Sequence, residues 1–168
     1  LRALQEEAAD LLCYAPVRDA AAVEALWGAA EGEAVSLSVG GRFDPQLHPP
    51  LPVQGRVGRR RDLPGIGRAV ALDCGHLKLV ITEGPPLAMK PAFYRDMGLP
   101  PWKADLCVVK SLFPFRLYFA LHNRLTIYAR TLGATDLDAP HRLRFAGPVH
   151  PVVALADWRA EDRRRRGG

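Results

Sequence analysis

The sequence predicts an α/β (or α+β) fold: a mixed β-sheet flanked by a few helices, in a single domain. Three observations carry this. Short apolar runs bounded by Gly and Pro recur between Leu11 and Val109 and read as strands. An Ala-rich stretch behind Asp19 has the character of a capped helix. Strand and helix signals do not alternate strictly, so one sheet with both strand directions is expected. The chain has 168 residues, 48% apolar and 24% charged, enough for one proper core. The domain is expected over residues 1–157, followed by a disordered basic tail over 158–168.

The elements follow in order. Leu1, Leu4 and Ala8 recur at helical spacing with Gln5, Glu6 and Glu7 opposite. No start signal precedes them, so the chain is expected to be a piece of a longer protein. Leu11 to Val17 reads as a strand. Asp19 caps a helix from Ala20 to about Ala30, closed by Gly32. Val35, Leu37 and Val39 alternate with small polar residues, which suits a strand with one buried face, and Gly40-Gly41 ends it. A Pro-rich loop runs from Phe43 to Pro52. Val53 to Val57 is a strand leading into a charged turn through Arg61.

Ala69 to Leu72 and Leu77 to Thr82 form a hairpin around Asp73-Cys74-Gly75-His76. Pro91 to Met97 is a short helix stopped by Gly98 and Pro100-Pro101. Leu106 to Val109 is an apolar run and reads as a buried strand. Pro114 suits the first turn of a helix reaching about His122. Leu125 to Thr131 and Leu143 to Phe145 are further strand candidates.

Bulk properties exclude several classes. No apolar run is long enough to span a membrane, and no leader pattern opens the chain. Cys13, Cys74 and Cys107 are odd in number and scattered through apolar stretches. They read as reduced core residues of a cytoplasmic protein. The net charge of +5 is concentrated in two runs, Arg59 to Arg61 and Arg163 to Arg166, which read as solvated arginines, so no nucleic-acid partner is expected.

Candidate chemistry centres on the end of the Leu106–Val109 run. There Lys110, Ser111 and, across an aromatic segment, Arg116 stand at the carboxyl end of a strand, where α/β proteins tend to bind ligands. Lys and Arg suit a carboxylate. The plainer reading makes Ser111 a helix cap and gives Lys110 a carboxylate partner. Gly40-Gly41 offers successive N–H groups that can form an anion nest, or simply a turn that needs positive φ. The histidines His48, His76, His122, His141 and His150 form no metal motif, and no Cys-x-x-Cys exists. No catalytic residue and no metal ligand is therefore assigned within this chain. Phe115 and Phe119, one helical turn apart, read as core.

Several stretches in order resemble the C-terminal domain of the microcystinase C (MlrC) family of zinc metallopeptidases. They are Leu1 to Ala9, Tyr14-Ala15-Pro16-Val17-Arg18-Asp19, Leu37-Ser38-Val39-Gly40-Gly41, and Phe93-Tyr94-Arg95-Asp96-Met97-Gly98-Leu99. Val108-Val109-Lys110-Ser111 with Phe115-Arg116 is the most specific block, and Gly147-Pro148-Val149-His150-Pro151 resembles the closing segment. Pro114 departs from the pattern, because many members carry a His there. Any chemistry of that His is closed to this chain, and the substitution weakens the case for a microcystin-type substrate.

The resemblance implies a non-metal-binding half of a hydrolase. The zinc, its Asp and His ligands and the water-activating acid would belong to a separate N-terminal domain of the same protein. This half would wall a cleft for a peptide or amide substrate, with Lys110, Ser111, Arg116, Gly40 and Gly41 as the substrate-binding candidates. It would also expose an apolar face toward its partner domain. Homo-oligomerisation stays open. The alternative is a free-standing module that holds a small anion with Gly40-Gly41 and Lys110.

Overall fold

Apolar residues on both faces of a sheet need cover on both sides, and the chain supplies it. The computed structural model describes residues 1–43, 45–111, 113–121, 123–129 and 157–167. The sheet lies in the first of two compact units, Leu1–Tyr128; the second is Ala129–Gly168. In chain order the first unit contains helix α1 (Arg2–Glu6), strand β1 (Cys13–Arg18), helix α2 (Ala20–Trp27) and strands β2 (Ala34–Val39), β3 (Leu51–Leu63), β4 (Gly67–Cys74) and β5 (Leu77–Thr82). Helix α3 (Pro91–Asp96), a 3₁₀ turn (Pro101–Lys103), strand β6 (Leu106–Cys107) and helix α4 (Phe115–Tyr118) follow.

The strand order is β2-β3-β4-β5-β1-β6. β1 lies parallel to both β5 and β6, while β2, β3, β4 and β5 pair antiparallel in succession. The sheet is therefore mixed, as the sequence predicts. β2 stands four places from β1, yet a Cβ on Gly40 would touch Val17 and the Gly40 N–H donates to Asp19. The sheet must curl, bringing its first edge over the face that carries α2. The device is in β3, whose register shifts between Val57 and Arg60 around Gly58.

One face buries Cys13, Ala15 and Val17 of β1 with Leu77, Leu79 and Ile81 of β5 against Val23 and Leu26 of α2 and Val39 of β2. The other buries Tyr14, Ala69, Ala71 and Val80 against Phe93 and Tyr94 of α3 and Met97 just after it. The alternation of in and out along β1 is the period-2 pattern of a strand covered on both sides.

Four expectations need correction. The charged turn through Arg61 is strand, because β3 continues to Leu63. Neighbouring side chains of a strand point to opposite faces, and here they serve different helices. The Arg59 guanidinium donates to the Asp96 carbonyl at the end of α3, and that of Arg60 to the Trp27 carbonyl at the end of α2. Basic groups suit helix C-termini. Next, the buried strand Leu106–Val109 is a half-buried, two-residue edge strand, since among the described residues β1 is its only neighbour. Leu125 to Ala129 form no strand, and Leu125 and Ile127 face solvent. The remainder of that candidate, and Leu143 to Phe145, lie outside the described residues.

The last correction concerns the arginine tail. In the second unit, helix α5 spans Trp158–Arg166. The Asp157 carboxylate caps it by accepting from the Arg159 and Ala160 N–H groups, and Asp162 pairs with Arg166 at 3.0 Å. Arginines in the last turn also complement the helix dipole.

Candidate functional site

The carboxyl ends of the parallel strands are the place to look. β1 and β5 finish in register, Arg18 beside Thr82. The chain then turns at Asp19, whose side chain is fully buried. A buried carboxylate must be paired and hydrogen-bonded, and this one is. It accepts from the Ala22 N–H at 3.1 Å, capping α2, and from the Gly40 N–H at 3.0 Å. The Arg42 Nε adds a bond at 3.2 Å. Beside it the Thr82 hydroxyl donates to the Gly84 carbonyl at 2.8 Å, and the Asp19 N–H to the Thr82 carbonyl at 2.9 Å. Arg68 bridges Glu83 and Glu24 at 2.7 and 2.6 Å. Its hydrogen bonds hold the Glu83 carboxyl below the usual range.

β6 ends differently. The Tyr94 hydroxyl, fully buried, donates to the Val108 carbonyl at 2.5 Å. The Val108 N–H donates to the Tyr14 carbonyl at 2.8 Å, which extends the parallel pairing one residue. Burial pushes the Cys107 thiol up to about 12, with the Tyr94 hydroxyl hydrogen bond opposing, and pushes the Tyr94 hydroxyl well up as well. Both groups stay neutral and inert at neutral pH. Two residues past this clamp Lys110 is exposed, within electrostatic range of Leu1. Among the described residues no hydrogen bond or ion pair holds it.

The five candidates thus fall in separate settings. Lys110 and Ser111 follow β6, with Ser111 half-buried. Ser111 does not cap the next helix, because Pro114 occupies the cap position. Arg116, exposed on α4, donates to the Tyr128 hydroxyl at 3.0 and 2.5 Å. Gly40 and Gly41 have φ of 76° and 71°, and a Cβ on Gly41 would come within 2.6 Å of Pro50. The turn needs glycine for both reasons. The Gly40 N–H already serves an internal anion, the Asp19 carboxylate. No hydrogen bond joins Gly40-Gly41 to Lys110 or Arg116 among the described residues.

Two residues carry more of this region than their sequence signals suggest. Asp19 reads as a helix cap, yet it also ties the far edge of the sheet to β1. Its signal was the Gly-Gly turn needing an acceptor for its amides. Tyr94 sits in a short amphipathic helix and gives no polar signal of its own.

Open depressions of about 330 and 280 Å³ lie at the opposite, amino end of β1, near His76 and Lys78 respectively. Neither is lined by a candidate residue. Among the described residues no three His, Cys, Asp or Glu side chains converge to hold a metal. His76 Nε2 lies 3.1 Å from the Leu4 carbonyl, and the Asp19 oxygens are taken. These residues do not fit a zinc ion.

The chain is similar to known proteins. Microcystinase C of Sphingomonas sp is 27% identical over 150 residues, covering 83% of this chain and 30% of that protein. A solved structure from Mesorhizobium sp. BNC1, assigned as a metallopeptidase, superposes with a TM-score of 0.73 at 28% identity. That match covers 94% of this chain and 34% of the other. The chain therefore spans about a third of the length of each. The family model described as MlrC C-terminus matches residues 1–146. The chain belongs to the MlrC C-terminus family.

Proposed function

We propose that this chain is the metal-free C-terminal part of a zinc-dependent metallopeptidase or amidohydrolase. It walls the substrate cleft and supports a catalytic N-terminal domain of the same protein. The observation that carries the reading is the match to the family model over residues 1–146, together with the third of the relatives' length that the chain spans. The local chemistry is consistent with it. Lys110 is an exposed cation two residues past the Tyr94–Val108 clamp, free to meet a substrate carboxylate. Ser111 and Arg116 follow it in sequence, and the Arg116 guanidinium donates to a hydroxyl, that of Tyr128. The small-anion module has less support, since the Gly40 amide is occupied by Asp19.

The test is made on the complete protein. Metal analysis is expected to find zinc bound by residues preceding Leu1, and chelation to abolish peptide or amide hydrolysis. This chain on its own is expected to bind no stoichiometric zinc and to show no turnover. One tightly held zinc per isolated chain, or a gene with no metal-ligating region upstream, overturns the reading.

A further inference from the structure

The segment after Lys110–Ser111 is rich in large apolar side chains, with the exposed Arg116 among them. Phe115 and Phe119 are buried, one turn apart, and the Phe119 N–H donates to the Phe115 carbonyl. The opposite face repeats the pattern at the same spacing with Phe113, Leu117 and Leu121, and these face solvent; Leu117 is 80% and Leu121 95% exposed. Leu125 and Ile127 continue the exposed surface. Isolated exposed apolar residues need no explanation, but a contiguous run of large ones marks an interface.

Cations stand beside these residues. Lys90 Nζ stands 4.9 Å from the Tyr118 ring centroid, and the Arg116 guanidinium lies over Tyr128. Exposed Lys110 and Arg124 add two more cations in sequence beside the patch. Aromatic residues and Arg around an apolar centre are the composition of a protein–protein interface.

We propose that the outer face of Phe113, Leu117, Leu121, Leu125 and Ile127 is the docking surface for the N-terminal metallopeptidase domain, on a patch of that domain with an apolar centre and an acidic rim. This rests on the function proposed above and locates its interface. Two observations select this occupant. The relatives carry about two thirds of their length beyond the part matched here. The patch also begins two residues after Ser111, so the surface that would meet the other domain is continuous with the proposed cleft wall. A cleft between two domains is bounded by their contact, so docking here brings Lys110 to the cleft edge.

The test uses the complete protein with a photo-crosslinking amino acid at Leu121, and a control at Leu87, exposed in the loop before α3. Mass spectrometry maps the products. Crosslinks from position 121 to peptides preceding Leu1 are expected, enriched in acidic residues, with none from position 87. Crosslinks to residues 130–156 would show that the chain covers its own patch, and crosslinks to another copy would show a homodimer face. Either overturns the proposal, as does absence of any product at 121. A complete protein that has the metal-binding domain and hydrolyses substrate, yet crosslinks elsewhere, removes this interface and leaves the proposed function standing. Leu117→Glu with Leu121→Glu gives a second readout. The pair is expected to separate the domains, seen as new proteolysis between them, while the buried Phe115 and Phe119 are left unchanged.

Discussion

Two neighbouring strands of one sheet end in opposite ways. β1 runs into Asp19, a fully buried carboxylate whose partners are all internal: the first turn of α2, the Gly40 amide and Arg42. β6 runs past a clamp of neutral groups, the Tyr94 hydroxyl and the Cys107 thiol, into an exposed Lys110. Both ends carry a charge at the carboxyl edge, where α/β proteins put ligand chemistry. Only the second leaves its charge available. A charge whose hydrogen bonds are all met inside the protein holds the fold; among the described residues nothing holds Lys110.

The largest effect is expected at Asp19. Asp19→Ala removes the cap of α2 and leaves the Gly40 N–H without its acceptor and Arg42 without its pair. The loss of stability is expected to be about 3 kcal/mol, from the cost of a lost cap plus charge-assisted hydrogen bonds to buried partners. Asp19→Asn keeps one oxygen for the cap but puts an NH2 donor in place of the other acceptor and removes the charge, so it should still lose less than Asp19→Ala. Arg42→Ala is expected to cost under about 1 kcal/mol, because Arg42 is more than half exposed. Denaturant midpoints of the three variants check this. An Asp19→Ala variant within about 1 kcal/mol of the parent would break the comparison at its closed end.

The sequence displayed these two ends unequally. Lys110 was legible because a charge interrupting an apolar run stands out. Asp19 was legible as a cap, since its partner Ala22 is three residues away. Its second partner is 21 residues away, across a curl that periodicity does not encode. The hairpin of β4 and β5 and the helix α3 were readable from alternation and from Gly and Pro signals. The arginines of β3 were not, because a charged run looks solvated unless the helix termini it meets are known. β6 looked buried because composition alone cannot tell an edge from a centre. Gly40-Gly41 was legible as a turn of positive φ, whereas the anion it holds lies inside the chain.

The β6 end can be tested by pH. Burial raises the pKa of Cys107 to about 12 and that of Cys74 to about 11, and raises Tyr94 as well. Each group is then protonated in the folded state at a pH where the unfolded chain has begun to lose the proton. The unfolded state binds fewer protons, so stability falls as pH rises. The thiol contribution is whole below about 8.5 and is lost progressively from there toward the folded values. Tyr94 joins above about 10. Unfolding midpoints between pH 7 and 10.5 check the slope, and Cys107→Ala should flatten it. An unchanged slope in that variant would mean that the thiol beside the clamp is not what the alkaline loss reports. At the acid end Glu83 works in the other sense. Its carboxyl is depressed by Arg68, so its contribution is present above the unfolded value and is lost as pH falls through the lowered one.

The smallest effect on the fold is expected at Lys110, and that is what sharpens the comparison. Lys110→Met keeps the aliphatic stem, which can lie along the sheet, and removes the charge. No ion pair among the described residues depends on that charge, so stability should change by less than about 1 kcal/mol. In the complete protein the same variant is expected to lose turnover or substrate affinity clearly, because a carboxylate that met the ammonium would be left without its partner. Lys110→Arg keeps the charge with a different shape and should recover part of the loss. A denaturation midpoint and a rate measured on the same preparation separate the alternatives. If Lys110→Met loses several kcal/mol while its folded fraction keeps full activity, Lys110 compensates a buried carboxylate. It would then belong with Asp19, and both strand ends would be structural.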